Sequence, residues 1–269
     1  WANHRPLLGS AGLGIDQYPY YDYDSHSVRF EEMLACLGNI EAGDVVMLHG
    51  CCHNPCGADL SQEQWRQIRD ISLKQGFTVF IDLAYQGLGD GLEEDVYGAR
   101  LLAESLPELI VVTSCSKNFG LYRERTGAMT LIADSDATTA IATTQIAAAA
   151  RAMYSMPPDH GAAVVQLILN DGALRSEWDA ELTTMRNRIN GLRAQLVKQF
   201  KAANMDEDFS FIEREKGMFS FLGVNVDQVQ SLVNDYSIYL VNSSRINVAG
   251  VNDDNIDYLA SSLAAVLTA

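Results

Sequence analysis

The first half of the chain alternates short apolar runs with longer stretches of helical periodicity. Runs rich in β-branched and aromatic residues occupy positions 45–48, 78–81 and 109–112 and have the length of buried strands. After the first run, Ser61 and Gln64 have the spacing of a capping box, and Trp65, Ile68 and Ile71 follow on one helical face. A second helical stretch covers about 93–105. This order predicts a βαβαβ unit, and therefore an α/β fold with a mostly parallel sheet flanked by helices.

The second half of the chain predicts a change of architecture. We expect a strand at 128–133, a helix at about 136–150 that ends before Pro157 and Pro158, and a long helix at about 174–202. Beyond it the pattern predicts strands at 209–212, 218–221 and 238–241, and helices at 226–235 and 254–267. We therefore expect a large domain at 1–179 and a smaller α+β domain at 180–269, joined by the long helix.

Lys117 follows the third apolar run and is the first candidate for chemistry. A lysine beside a buried strand can lose its charge by desolvation and become a nucleophilic amine. Ser114, Ser116 and Arg125 surround it in sequence and could bind an anion such as phosphate. A reactive lysine beside a phosphate site is what pyridoxal phosphate requires. A surface lysine in a polar turn remains the alternative for this stretch taken alone.

Two other polar residues follow the first two predicted strands. Asn54 stands after the strand at 45–48, and Asp82 after the strand at 78–81. The carboxyl ends of parallel strands lie at one edge of a sheet, so we expect Asn54, Asp82 and Lys117 to face one crevice.

Composition and charge narrow the class of protein. The chain has 269 residues, 48% of them hydrophobic, and a formal net charge of −16, which argues against nucleic acid or an anionic membrane as a partner. No apolar run approaches the length of a membrane span. Five cysteines, with Cys51 and Cys52 adjacent, predict free thiols in a reducing, cytoplasmic setting. His53 and Cys56 extend a zinc-like cluster but lack a second ligand pair, so we expect no metal.

Seven motifs occur in an order that is typical of one enzyme family. They are Trp1-x-Asn3-His4, His53-Asn54-Pro55-x-Gly57, Asp82-x-Ala84-Tyr85-Gln86-Gly87, the stretch from Ser114 to Gly127, Tyr154-Ser155-x-Pro157-Pro158, Gly217-Met218-Phe219-Ser220 and Ser244-Arg245-Ile246-Asn247-Val248-Ala249-Gly250. The chain resembles the aspartate and aromatic amino acid aminotransferases, pyridoxal phosphate enzymes of class I and fold type I. The resemblance also implies that the family's N-terminal third is missing from this chain.

The resemblance implies coenzyme roles for residues from several motifs. Lys117 would form the internal aldimine and then move the substrate's α-proton, and Asp82 would pair with the pyridine nitrogen. Tyr85 and Asn54 would hydrogen-bond the ring's 3-oxygen, and Trp1 would stack on the ring. The phosphate ligands would be Ser114, Ser116 and Arg125.

The same resemblance implies substrate-binding roles and a dimer. Arg245 would bind the substrate's α-carboxylate, beside Trp1 and Asn54. Arg151 would reach in trans across a homodimer interface and bind a side-chain carboxylate in the partner's shared active site. His4 and His49 would support the aspartate from behind.

The implied activity is transamination between an L-amino acid, aspartate or an aromatic one, and 2-oxoglutarate, by a ping-pong mechanism. One alternative is another amino acid specificity within the family. A second is a truncated, non-catalytic relative that keeps the fold as a coenzyme-binding or interaction module. Cys56, Leu88 and Met156 depart from the family's usual residues.

Overall fold

The computed structural model describes residues 1–268, which form two compact units. Unit 1 comprises Trp1–Asn39, Cys52–Asp59 and Arg188–Ala269, and unit 2 comprises Ile40–Cys51 and Leu60–Asn187. The sequence instead divided the chain into domains at residues 179 and 180, and those domain limits remain a prediction.

Eight strands and ten α-helices make up the described part of the chain. The strands are β1 (Tyr21–Asp22), β2 (Ser27–Val28), β3 (Val45–His49), β4 (Thr78–Leu83), β5 (Leu109–Ser114), β6 (Gly127–Ile132), β7 (Phe219–Phe221) and β8 (Arg245–Asn247). The helices are α1 (His4–Ser10), α2 (Phe30–Leu37), α3 (Gln62–Gln75), α4 (Tyr97–Ala103), α5 (Asp136–Tyr154), α6 (His160–Asn170), α7 (Gly172–Ala202), α8 (Phe211–Arg214), α9 (Val226–Tyr236) and α10 (Ile256–Leu267).

Unit 2 is built on one four-stranded sheet with the order β3-β4-β5-β6. The pairs β3–β4 and β4–β5 are parallel, with α3 and α4 as the connections, while β5 and β6 form an antiparallel pair. Residues 79, 81 and 83 of β4 are buried, as a strand between two neighbours requires. The predicted α/β fold with a mostly parallel sheet is therefore confirmed.

Helix α3 shows how local sequence sets an element. The Ser61 hydroxyl accepts from the Gln64 N–H, and the Gln64 side chain accepts from the Ser61 N–H, so the predicted capping box is present. Trp65 and Ile68 are buried on the inner face. Gly76 ends the helix with φ of 77°, a left-handed conformation that glycine adopts without strain.

Unit 1 holds the smaller, mixed part of the chain. Strands β7 and β8 pair antiparallel, α9 packs on α10, and the C-terminal part of α7 contributes buried side chains. The large side chains in its core include Leu192, Leu196, Phe200, Ile212, Leu232 and Leu263.

Two predicted strands are wrong. Residues 209–212 alternate in polarity, yet Phe211–Arg214 is the short helix α8. Phe209, Phe211 and Ile212 are all buried, and no strand period of two buries both 211 and 212 on one face. Residues 238–241 form no strand, and β8 begins only at Arg245, where the chain pairs with β7.

Helices α5 and α6 have few buried side chains in this chain. Helix α5 extends beyond its predicted end to Tyr154 and buries none of its residues, and α6 buries only Gly161. Within residues 1–268, no helix combines the length and the apolar character needed to cross a membrane.

Candidate active site

Lys117 lies three residues beyond the end of β5, in unit 2. Its Nζ is 4.8 Å from the centre of the Tyr85 ring. Burial lowers the pKa of Lys117 below its ordinary value, the negative charge of Asp82 raises it, and the positive charge of Arg125 lowers it. The net lowering favours a neutral amine, which is the form that acts as a nucleophile or a base.

Asp82 and Tyr85 reach this place from β4. Asp82 is in register with Val112 on β5 and with His49 on β3. Tyr85 follows three residues later and is buried. The structure thus brings Lys117, Asp82, Tyr85 and His49 together at the carboxyl edge of the parallel strands. Asn54, which was predicted to face the same crevice, lies in unit 1.

Three groups beside Lys117 can donate hydrogen bonds to an anion. The Ser116 N–H donates to Ser114 Oγ at 3.1 Å, and Arg125 Nη1 lies 3.5 Å from Ser116 Oγ. Arg125 also donates to Tyr122 O at 2.8 Å and has φ of 53°. The two hydroxyls and the guanidinium form a compact donor set that suits a phosphate.

Sequence reasoning missed the residues that hold the lysine segment. Asn118 Nδ2 donates to Gln86 O at 3.2 Å, and Trp178 Nε1 donates to Asn118 O at 2.8 Å. Phe119 stacks on Trp178 with ring centres 4.5 Å apart. Trp178 is 60 residues from Asn118 along the chain, so no local pattern could have indicated the contact.

Asp95 is a second missed residue, and it shapes the loop after Tyr85. Its carboxylate accepts from the N–H groups of Gly87, Gly89 and Asp90 at 2.8–2.9 Å. A buried carboxylate with three backbone donors is well satisfied and holds the loop in one conformation.

A second set of predicted residues meets in unit 1. Arg245 Nη1 donates to Asn54 Oδ1 at 3.3 Å, and the guanidinium lies 4.6 Å from the centre of the Phe219 ring. The planar guanidinium stacks on an aromatic face and keeps donors available for a carboxylate.

Trp1 and His4 lie in unit 1 and Arg151 in unit 2. The rings of Trp1 and His4 form an edge-on pair with centres 5.3 Å apart, and Trp1 is 47% exposed. Arg151 is in the last turn of α5 and is exposed.

Cys56, which departs from the family's usual threonine, contacts His53. Its Sγ lies 3.0 Å from His53 Nδ1, and the Tyr20 ring stacks on His53 with centres 4.3 Å apart. Burial lowers the pKa of His53 to about 3, helped by the charges of the chain's amino group and His4. Burial also raises the pKa of Cys56 well above its ordinary value, so the pair is neutral near pH 7.

Comparison with known proteins identifies the family. Residues 1–263 match the class I and II aminotransferases. The chain belongs to this family, and the resemblance drawn from the motifs is confirmed.

The relatives include aspartate and aromatic amino acid aminotransferases. The chain is 46% identical to an aspartate aminotransferase of Haemophilus influenzae over 99% of this chain and 67% of that protein. It is 43% identical, with a TM-score of 0.98, to an aromatic amino acid aminotransferase from Burkholderia pseudomallei that is covalently bound to pyridoxal phosphate, over 99% and 67% of the two chains. An aromatic amino acid aminotransferase with 3-indolepropionic acid shows 44% identity and a TM-score of 0.95, over 98% and 68%. The chain thus spans about two thirds of the length of these relatives.

Proposed function

We propose that this aminotransferase exchanges the amino group of an L-amino acid, aspartate or an aromatic one, with 2-oxoglutarate, using pyridoxal phosphate. The observation that carries the proposal is Lys117, whose pKa is lowered by burial and whose Nζ lies beside the Tyr85 ring. Family membership supplies the reaction class, and this lysine supplies the reactive group.

The residues of unit 2 fit the coenzyme group by group. Lys117 offers an amine for the coenzyme's aldehyde, and Asp82 offers a carboxylate for its ring nitrogen. Tyr85 offers a phenol for its ring oxygen. Ser114, Ser116 and Arg125 match its phosphate. When bound, the coenzyme supplies an electron sink for the carbon that loses its proton.

Lys117 would hold the coenzyme covalently through Nζ and would afterwards carry the proton that leaves the substrate's α-carbon. Its lowered pKa favours the neutral amine, and a general base needs that form. Asp82 would pair with the ring nitrogen and keep it protonated, and His49, which is in register with Asp82 on β3, would support it. Tyr85 would donate a hydrogen bond to the ring oxygen.

Arg245 binds the α-carboxylate of the substrate through a bidentate pair, with Trp1 and Asn54 as neighbouring contacts. Its stacking on Phe219 and its bond to Asn54 fix the plane of the guanidinium, and a carboxylate pairs best with a fixed fork. Arg151 acts in trans on the side-chain carboxylate of a dicarboxylic substrate within a homodimer that has shared active sites. The exposed position of Arg151 supports this role, because an exposed guanidinium can serve a neighbouring subunit.

The second candidate function is a non-catalytic relative that binds the coenzyme without transamination. The shorter span relative to known family members is the observation that favours it. The simultaneous presence of Lys117, Asp82, Tyr85, Arg125 and Arg245 favours catalysis instead. With either function, we propose a cytoplasmic location, because the cysteines are free thiols.

The test is formation of glutamate from 2-oxoglutarate. The chain, loaded with pyridoxal phosphate, is incubated with aspartate or with phenylalanine. We expect glutamate with both donors, and coenzyme binding without glutamate would favour the non-catalytic alternative. A chain that neither binds the coenzyme nor makes glutamate would contradict both functions.

A further inference from the structure

Arg193 is the largest fully buried side chain of the molecule's described part, with 1% of its surface exposed. Its guanidinium donates to the carbonyl of Ile212 at 2.8 Å, to that of Phe219 at 2.6 Å, and to those of Lys216 and Gly217 at 2.7–3.1 Å. Burying an arginine costs free energy unless its donors are satisfied. Here one side chain binds four backbone carbonyls of the turn 212–219.

The turn held by Arg193 supports the substrate-binding candidates of unit 1. Phe219, whose carbonyl accepts from Arg193, carries the ring on which Arg245 stacks. On the other side, the Lys216 N–H donates to Gly57 O at 2.8 Å. A Cβ at Gly57 would lie 2.8 Å from Phe219 O, so the loop that follows Asn54 packs directly on this turn. Both partners of the Arg245–Asn54 hydrogen bond therefore rest on backbone that Arg193 fixes.

Glu215 is the acidic partner in this cluster, and it is 3% exposed. Its Oε1 accepts from the Tyr21 hydroxyl at 2.9 Å, its Oε2 accepts from the Ser220 hydroxyl, and Oε2 lies 3.7 Å from Arg193 Nη1. Burial raises the pKa of Glu215 to about 7, although the hydrogen bonds from Ser220 and Tyr21 and the charge of Arg193 lower it.

We propose that Arg193 and Glu215 are a positioning pair for Arg245, and that they set the affinity of the enzyme for the carboxylate of its substrate. The proposal rests on the proposed role of Arg245. Arg193 fixes the geometry by holding the turn under Phe219. Glu215 adjusts the charge under the same strand, because its Oε2 accepts from Ser220, the neighbour of the Phe219 on which Arg245 stacks, and only its ionised form carries a negative charge there.

The groups that face Glu215 lie on several elements of unit 1. The titratable and charged ones are Tyr21 on β1, Cys56 in Cys52–Asp59, Arg193 on α7 and Arg214 on α8, with His26 hydrogen-bonded to Tyr21 at 2.9 Å. Burial raises the pKa values of Tyr21 and Cys56 far above 7, and burial lowers that of His26. Glu215, with a pKa of about 7, changes its charge between pH 6 and 8, whereas Tyr21 and Cys56 stay protonated.

The first experiment replaces Glu215 by glutamine and measures the binding of 3-indolepropionate to the coenzyme-loaded protein by calorimetry. This probe carries a carboxylate but no amino group, so its own charge is constant from pH 6 to 8. We expect the parent to lose affinity by about threefold or more between pH 6 and 8 as Glu215 ionises. In Glu215→Gln the amide oxygen still accepts from one of the hydroxyls of Tyr21 and Ser220 and the amide nitrogen donates to the other, as a protonated carboxyl group would, so the variant should retain the pH 6 affinity at pH 8. The control is Glu213→Gln, an exposed neighbour on α8 that should behave as the parent does.

The second experiment tests the geometric part with Arg193→Lys. Lysine keeps the charge but lacks the fork that reaches several carbonyls at once. We expect 3-indolepropionate binding to weaken by about tenfold and the KM for amino acids to rise alike, with kcat and coenzyme affinity within about twofold of the parent.

Each outcome decides the proposal. Equal pH dependence in the parent and in Glu215→Gln would overturn it even if transamination is intact. A parent that makes glutamate but does not bind the probe would overturn it as well. A parent that binds the probe with the expected pH dependence but makes no glutamate would support the positioning pair and refute the proposed function. If Arg193→Lys fails to fold, the glutamine variant decides alone.

Discussion

Two cationic side chains of this protein are withdrawn from water with opposite results. Lys117 in unit 2 is partly buried, and burial lowers the pKa of its amine. Arg193 in unit 1 is fully buried, yet five hydrogen bonds to backbone carbonyls satisfy its guanidinium. A desolvated lysine can release a proton and become neutral. An arginine stays charged, so its buried donors need hydrogen-bond acceptors.

The difference separates a reactive site from a structural one. The lysine lies beside a carboxylate and a second cation whose effects on its pKa oppose each other, which leaves its charge adjustable. The arginine sits among acceptors that fix both its charge and its position. We infer that unit 2 carries the group that reacts, and that unit 1 carries a scaffold for substrate recognition.

Among the variants that test this comparison of Lys117 with Arg193, Lys117→Ala should have the largest effect. We expect transamination to fall by about a thousandfold or more, because the proposed covalent anchor and proton carrier would both be lost. The free energy of unfolding should change little, since the Lys117 side chain is only partly buried. The measurements are glutamate production and denaturant unfolding, with Lys74→Ala, an exposed lysine of α3, as the control. Turnover within tenfold of the parent would remove Lys117 from the reaction.

Arg151 adds a third environment, an exposed arginine, to the comparison. Arg151→Leu should lower kcat/KM for aspartate by about 2–4 kcal/mol of transition-state binding, the worth of a charge-assisted pair to a carboxylate. The efficiency with phenylalanine should change far less. Hybrids of Arg151→Leu and Lys117→Ala chains test the action in trans, because one site of each mixed dimer would contain both residues. Equal losses for aspartate and phenylalanine would contradict the assigned role.

Glu215 gives the comparison a pH dependence of stability. Its pKa of about 7 in the folded protein lies above the value of 4.5 expected for an exposed glutamate. The folded state therefore binds the proton more tightly, and the stability due to this group is fully present below pH 4.5 and lost as pH rises through 7. Relative to Glu215→Gln, the parent should lose about 2–3 kcal/mol of unfolding free energy between pH 4.5 and 8. Urea unfolding across this range measures it, and parallel pH curves for the two proteins would refute the raised pKa.

Trp178→Phe has the smallest expected effect. Phenylalanine keeps the stacking on Phe119 but loses the hydrogen bond to Asn118 O. We expect a loss of about 1 kcal/mol in unfolding free energy and a decrease of a few fold in kcat. Thermal unfolding and steady-state kinetics provide the two readings. If this variant lost the visible absorption of the coenzyme bound to Lys117, Trp178 would do more than support the segment around Asn118.

The four-stranded sheet and the position of Lys117 at its carboxyl edge could be predicted because the sequence patterns that indicate them are local. Apolar runs of strand length, the capping box at Ser61 and polar residues after each strand are all read within a few positions. The same reasoning gave two false strands at 209–212 and 238–241. In the first, the backbone is set by distant contacts, since Arg193 holds Ile212 O and Phe211 stacks on His26 with ring centres 3.5 Å apart.

The supporting residues of the site escaped prediction for the same reason. Trp178 meets Asn118 across 60 positions, and Arg193 meets Gly217 across 24. Asp95 is close in sequence to the loop that it holds. An aspartate near glycines is too common, however, to indicate a carboxylate that accepts three backbone hydrogen bonds. Sequence patterns therefore indicated the candidate groups for the reaction and missed the residues that hold them in place.

The central claim is that Lys117 is the lysine that holds the coenzyme. The chain has five lysines, at positions 74, 117, 198, 201 and 216. Reduction of the coenzyme-loaded protein with borohydride, followed by proteolysis and mass spectrometry, locates the lysine that carries the reduced coenzyme. We predict a single modified peptide containing Lys117 and the loss of the visible absorption. Modification spread over the other four lysines, or its persistence in Lys117→Ala, would contradict the account.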